Sequence, residues 1–140
     1  MPPIRPIPPI EAVMTPLPVS IGIDARVTEA QELMADHDIR HLPVTDGGEI
    51  VGVITQRDVG LVLDPARGLP FDRDLRVRTI CMPDAYVVAP ETPLDTVVGE
   101  MARRRIGSVL VARAGLLLGI FTATDACRLY AETLRDGPSP

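Results

Sequence analysis

Ile39-Arg40-His41-Leu42-Pro43-Val44-Thr45-Asp46-Gly47-Gly48-Glu49-Ile50-Val51-Gly52-Val53-Ile54-Thr55-Gln56-Arg57-Asp58 is the stretch that decides the fold, because the chain writes it twice. At an offset of 67 residues it returns as Ile106-Gly107-Ser108-Val109-Leu110-Val111 through Gly119-Ile120-Phe121-Thr122-Ala123-Thr124-Asp125. The same offset superposes Met34-Ala35 on Met101-Ala102, Ile39 on Ile106, Val44 on Val111 and Gly48 on Gly115. It also superposes Gly52 on Gly119, Thr55 on Thr122 and Asp58 on Asp125. These eight identities fall between about residues 19 and 59 without a gap. A turn glycine, a strand glycine and a Thr-x-x-Asp held in one register mean one unit repeated in tandem.

The unit reads as strand, helix, strand, strand, helix. In the second copy Tyr86-Val87-Val88 is a short strand, and Thr92-Pro93-Leu94-Asp95 opens a helix with Thr92 as N-cap and Pro93 at its first position. Leu94, Val97, Val98 and Met101 then recur at i, i+3, i+4 and i+7, one apolar stripe. Arg103, Arg104 and Arg105 close that helix, where positive charge suits the C-terminal end of the dipole. The first copy carries Val27, Ala30 and Met34 on its stripe. Strands at His41–Thr45 and Ile50–Ile54, and again at Ser108–Ala112 and Leu116–Phe121, form hairpins around Asp46-Gly47-Gly48 and Arg113-Ala114-Gly115. Thr55 and Thr122 cap the last helix of each unit. Residues 11–62 and 79–134 are the two repeats, and a copy of some fifty residues needs its twin to bury enough surface. Gly60 to Arg78, with Pro65, Gly68 and Pro70, reads as a loop whose linker proper is 63–78. The Pro-rich residues 1–10 and residues 135–140 read as solvated tails.

Composition narrows the chemistry. Of 140 residues 46% are apolar but only 3% aromatic, so the core is packed with aliphatic side chains and Met. All 14 basic residues are Arg and the net charge is −5. The absence of Lys excludes Schiff-base and P-loop chemistry, and the acidic balance argues against a nucleic-acid partner. Cys81 and Cys127 make no disulfide framework, and His37 and His41 precede Pro43 too closely for a helical metal pair. Cys81 has only two His available as a base, so it is a poor nucleophile. With neither an export signal nor a membrane-length apolar run, the expected location is the cytoplasm. The spacing Pro3-x-x-Pro6 and Pro6-x-x-Pro9 suits a polyproline ligand of a partner, or a semi-rigid tail.

These residues closely resemble a CBS (cystathionine β-synthase type) domain, written twice. Val13-Met14-Thr15-Pro16 resembles the usual start of a first copy. Ile80-Cys81-Met82-Pro83 is a departed version at the second, read with Pro in place of Thr. The resemblance covers residues 11 to 130 and implies a stand-alone CBS-domain protein. That is an α+β fold in which two β-α-β-β-α repeats form a Bateman module about a pseudo-two-fold axis. It implies a non-enzymatic sensor with clefts for AMP, ADP, ATP or S-adenosylmethionine, no obligatory cofactor, and output through an unknown partner or self-assembly. A homodimer is implied too, with no membrane partner. The alternative is a ligand-free dimerisation or scaffolding module.

The resemblance also distributes roles. Asp58 and Asp125 would accept ribose hydroxyls as charge-assisted hydrogen bonds. Thr55, Thr122, Thr124 and Ser108 would offer hydroxyls, and Val19, Ile21, Tyr86 and Val88 would sandwich a purine. Arg40, His41 and Arg57 are the phosphate partners. The carbonyl of Pro43, at an edge or unpaired strand position, would meet adenine. Met14, Thr15, Pro18 and Met82 would complete the walls. Of the two clefts the Asp125 one is expected to be tighter, assisted by Thr15, Arg40 and His41, because Pro83 impoverishes the Asp58 one.

Overall fold

The computed structural model describes residues 6–16, 18–64 and 74–136. Its elements are a 3₁₀ turn (Ile10–Ala12), β1 (Thr15–Pro16), β2 (Ile21–Gly22), α1 (Val27–His37), β3 (His41–Asp46) and β4 (Glu49–Thr55). They continue with α2 (Gln56–Leu63), α3 (Val77–Ile80), β5 (Val87–Val88), α4 (Leu94–Arg104), β6 (Ser108–Arg113), β7 (Leu116–Thr122) and α5 (Ala123–Asp136). Two compact bodies divide the chain. Of the described residues, the first holds 18–64, 74–85 and 115–117; the second holds 6–16, 86–114 and 118–136.

In the first body β2 runs parallel to β3, Ile21 opposite Val44, and β3 and β4 form an antiparallel hairpin from His41↔Thr55 to Asp46↔Glu49. Gly47 and Gly48 turn it at φ 60° and 89°, a conformation that suits the twist of a two-residue hairpin loop. The expected stripe is the one that is buried: Val27, Ala30 and Met34 of α1 lie on Leu42, Val44 and Ile54, with Val59 and Val77 completing the core. The second body repeats the plan. β5 is parallel to β6, Val97 and Met101 of α4 pack on Val109, Val111 and Phe121, and Leu94 and Val98 flank them. Both α1 and α4 end on a left-handed residue, Asp38 and Arg105, and the next residue's N–H closes back onto Met34 or Met101.

Short lead-in segments complete each body. In the second, β1 lies antiparallel to β7 with Thr15 opposite Ile120, and the fully buried Ile10 donates its N–H to the Thr92 carbonyl at 2.8 Å. In the first, Met82 bridges Val53 through a reciprocal pair of backbone bonds of 2.9 and 3.1 Å. Thr15 and Met82 are again 67 apart. Gly119 and Gly52 make room for these segments: a Cβ on Gly119 would sit 2.2 Å from the Met14 sulfur, and one on Gly52 would sit 2.4 Å from the Met82 carbonyl oxygen.

Several expectations change. The loop assigned from Gly60 to Arg78 is helical at both ends, α2 reaching Leu63 and α3 starting at Val77; residues 65–73 lie outside the described residues. The start of the chain is not all tail, since Leu94 N–H bonds the Pro8 carbonyl at 2.9 Å and Pro9 bridges Pro93. Pro93, not Thr92, is the N-cap of α4; the Thr92 hydroxyl donates to the Ala89 carbonyl at 2.7 Å instead. Pro43 takes the second of its two expected places, a position unpaired on the β2 side rather than an edge strand. It sits inside β3, which pairs on both sides, at a point the short β2 does not reach. Among the described residues no helix is long and apolar enough to cross a membrane.

Candidate ligand-binding turns

Each body ends its hairpin in a strand-to-helix turn with a reciprocal cap. At β4–α2, Asp58 N–H donates to Thr55 Oγ1 at 3.1 Å, and Thr55 N–H donates to Asp58 Oδ2 at 3.3 Å. Gln56 N–H is taken by the Arg40 carbonyl at 2.8 Å. The next N–H, that of Arg57, belongs to the orphan donors of a helix start, where an anion is favoured. Arg40, His41, Thr55, Gln56 and Arg57 line an open cavity of about 310 Å³ here. His41 is half-buried at the start of β3. Burial holds its pKa below the usual histidine range, with the Arg40 charge adding to that effect and the Asp58 carboxylate opposing it. Asp58 Oδ1 has no protein hydrogen bond among the described residues.

The β7–α5 turn has the same cap and a different neighbourhood. Thr122 N–H and Oγ1–H both donate to Asp125 Oδ2 at 2.9 Å, and Asp125 N–H returns a bond to Thr122 Oγ1 at 3.3 Å. Ala123 N–H meets the Gly107 carbonyl at 2.9 Å, just as Gln56 meets that of Arg40. Here, however, the second carboxylate oxygen is engaged: Arg128 Nη1 reaches Asp125 Oδ1 at 3.3 Å.

The other expected residues fall as follows. Met14 is packed against Gly119, and Thr15 is exposed opposite Ile120, two residues before the Thr122 cap. Arg40 and His41 stand beside Thr55 and Arg57 at the β4–α2 turn, within the first body. Ile21 belongs to the first core and Val19 packs against it; Val88 packs against the second core. Ile21 is therefore committed to packing rather than open to a purine. The Tyr86 ring is covered by the Arg104 guanidinium at 4.5 Å. Pro18 is half-buried in the first body, Ser108 is half-buried at the start of β6, and Thr124 is exposed in the first turn of α5. Pro43 is buried, and Met82 is largely exposed. Because Met82 matches Thr15 in register, Met is the residue that replaces Thr in the second lead-in, and Pro83 simply matches Pro16. Gln56 was not anticipated, since only its backbone position marks it.

The remaining chemistry is quiet. Arg103 and Arg104 close onto Glu100, which they hold down to a pKa of about 2, so this run is an internally paired helix end. Burial pushes the Cys81 thiol up, against a nucleophilic role. Among the described residues no group of three His, Cys, Asp or Glu could hold a metal ion.

The CBS domain family model matches residues 10–61 and 77–132. The chain belongs to the CBS domain family. Inosine-5'-monophosphate dehydrogenase of Korarchaeum cryptofilum is 32% identical to this CBS pair over 116 residues, which are 82% of this chain and 22% of that enzyme. The pair thus spans under a quarter of the length of that relative. Among solved structures, the CBS domain pair of protein MJ0100, in complex with 5'-methylthioadenosine and S-adenosyl-L-methionine, is similar at TM-score 0.80 and 26% identity. That match covers 91% of this chain and 98% of the other. An uncharacterized conserved protein of Pyrococcus horikoshii is similar at TM-score 0.76 and 30% identity, over 91% and 95% of the two chains.

Proposed function

We propose that this CBS pair is a non-enzymatic regulatory module that binds an adenosine-containing ligand and signals through a partner protein or through self-assembly. The observation that carries the reading is the Thr55–Asp58 turn. Arg40, His41, Thr55 and Arg57 line one cavity at the start of α2, and Asp58 caps that same turn through Oδ2 with Oδ1 left to accept. A ribose diol suits the carboxylate, and a phosphate suits the guanidinium groups and the helix start. The likeness to a CBS pair holding 5'-methylthioadenosine and S-adenosylmethionine supports the adenosyl class. This reading puts the stronger site at Asp58, the reverse of the sequence expectation, because Asp125 spends both oxygens on protein donors.

The test is titration calorimetry with AMP, S-adenosylmethionine and 5'-methylthioadenosine. Asp58→Ala removes a charge-assisted bond worth roughly 1.5–3 kcal/mol, so affinity drops about tenfold to over a hundredfold. Asp58→Asn keeps an acceptor for the Thr55 N–H and controls for loss of the cap. If neither variant alters binding of any of the three, the ribose role of Asp58 is abandoned. A homodimer is part of the proposal, supported by the exposed apolar side chains of Ile7, Tyr130 and Leu134 in the second body. Tyr130→Glu then shifts the species seen by light scattering from dimer to monomer. A wild-type monomer at tens of micromolar removes that part.

A further inference from the structure

The two turns are built from the same four residues' worth of sequence, yet their carboxylates differ in what they can accept. A ribose offers two adjacent hydroxyls, and a carboxylate that holds both must present acceptor sites on its oxygens. At Asp58 the cap uses Oδ2 and leaves Oδ1 to a ligand. At Asp125 the cap uses Oδ2 through two donors, and Arg128 occupies Oδ1. The repeat explains the asymmetry: the residue 67 places before Arg128 is Leu61, which cannot donate. One turn along the helix from Asp125, Arg128 is at the spacing where side chains meet.

Resting on the adenosyl reading above, we propose that Arg128 is a latch on the second turn, an internal donor that competes with a ribose hydroxyl for Asp125 Oδ1. Arg128 is a positioning residue, since it acts through the carboxylate. The Arg128 side chain is 63% exposed while the Asp125 side chain is 17% exposed. The donor can therefore swing into water when displaced, and an exposed pair of this kind is weak. The latch tunes the site rather than closing it. The Asp58 turn fills first and the Asp125 turn follows at higher ligand concentration.

The experiment uses the full chain carrying Asp58→Asn, so that the remaining heat reports the second turn, titrated with 5'-methylthioadenosine, which keeps the ribose diol and carries no phosphate to pair with Arg128. Arg128→Leu, the first-repeat residue, and Arg128→Gln both tighten binding about two- to fivefold, the range an exposed ion pair allows. Raising salt from about 50 to about 500 mM tightens binding to the parent and leaves the Arg128→Leu protein unchanged, because only the parent has an ion pair to screen. A purely structural Arg128 would move neither readout in that direction. The gain disappears when Asp125→Ala is added. Unchanged or weaker binding in both Arg128 variants, or a gain that survives Asp125→Ala, overturns the latch while an effect of Asp58→Asn keeps the adenosyl reading. If no adenosyl ligand binds any of these proteins, both fall together.

Discussion

Replacing Gly52 by Ala places a methyl group where the first body has no room for one. Its Cβ would lie 2.4 Å from the Met82 carbonyl oxygen, 2.5 Å from Cys81 Sγ and 3.1 Å from the Met82 carbonyl carbon. The obstructing oxygen is backbone, and Val53 N–H already holds it at 3.1 Å while Met82 N–H bonds the Val53 carbonyl at 2.9 Å. Relief therefore means moving the lead-in segment away by about 1 Å, which stretches both bonds beyond useful length. Two net backbone bonds at about 0.5–1.5 kcal/mol each, with an overpacking cost of about 1–3 kcal/mol, give a loss of about 4 kcal/mol. For a chain of this size that lowers Tm by about 14 °C. Urea denaturation followed by circular dichroism measures the loss directly. Two comparisons calibrate it. Gly119→Ala meets only the flexible Met14 side chain, so it costs less, about 1–2 kcal/mol, and Met14→Ala rescues it. Gly60→Ala, inside α2 with nothing within 4 Å, stabilises by about 0.5–1 kcal/mol. A Gly52→Ala protein within about 0.5 kcal/mol of wild type, or no worse than Gly119→Ala, refutes the reasoning.

Three further outcomes are expected. His41 has a depressed pKa when folded, so the unfolded chain takes up its proton first; stability is full above about pH 6.5 and falls as the pH drops through the folded value. Melting curves between about pH 5 and 8 show this slope, and His41→Gln flattens it. Arg105→Gly relieves a left-handed residue at φ 57° at the end of α4 and raises stability by about 1 kcal/mol in denaturant titrations. Thr122→Ala removes the acceptor for Asp125 N–H and lowers stability by about 1 kcal/mol; an unchanged midpoint would show that the cap contributes nothing.

The hairpins, the helix stripes and both Thr-x-x-Asp turns are legible in the sequence because each is carried by a local pattern and written twice. Val97 and Met101 announce their burial by spacing, and Gly48 and Gly115 announce their turns by chemistry. The lead-in segments resist such reading. Two-residue strands have no period to detect, and only the offset of Thr15 from Met82 exposes their common register. Arg40 and His41 are visible as polar side chains but not as neighbours of Thr55 and Arg57, since that is decided by the hairpin closing His41 onto Thr55. Arg128 was readable as an i+3 partner of Asp125. Its meaning required seeing that Oδ2 was already committed to the cap.

Ile10 sits fully buried in a body that, past the lead-in it belongs to, resumes only at Tyr86. During synthesis its partner Thr92 leaves the ribosome about 80 residues later, a delay of roughly 4–16 s at ordinary elongation rates. The first body, closed by Val77 and Met82, can form all but residues 115–117 while the chain is still growing. The second must wait, its earliest-made piece left without its core until the last strands emerge. Birth order and assembly order thus run opposite ways for one turn of helix, and a refolding experiment started from the complete chain will not meet that delay.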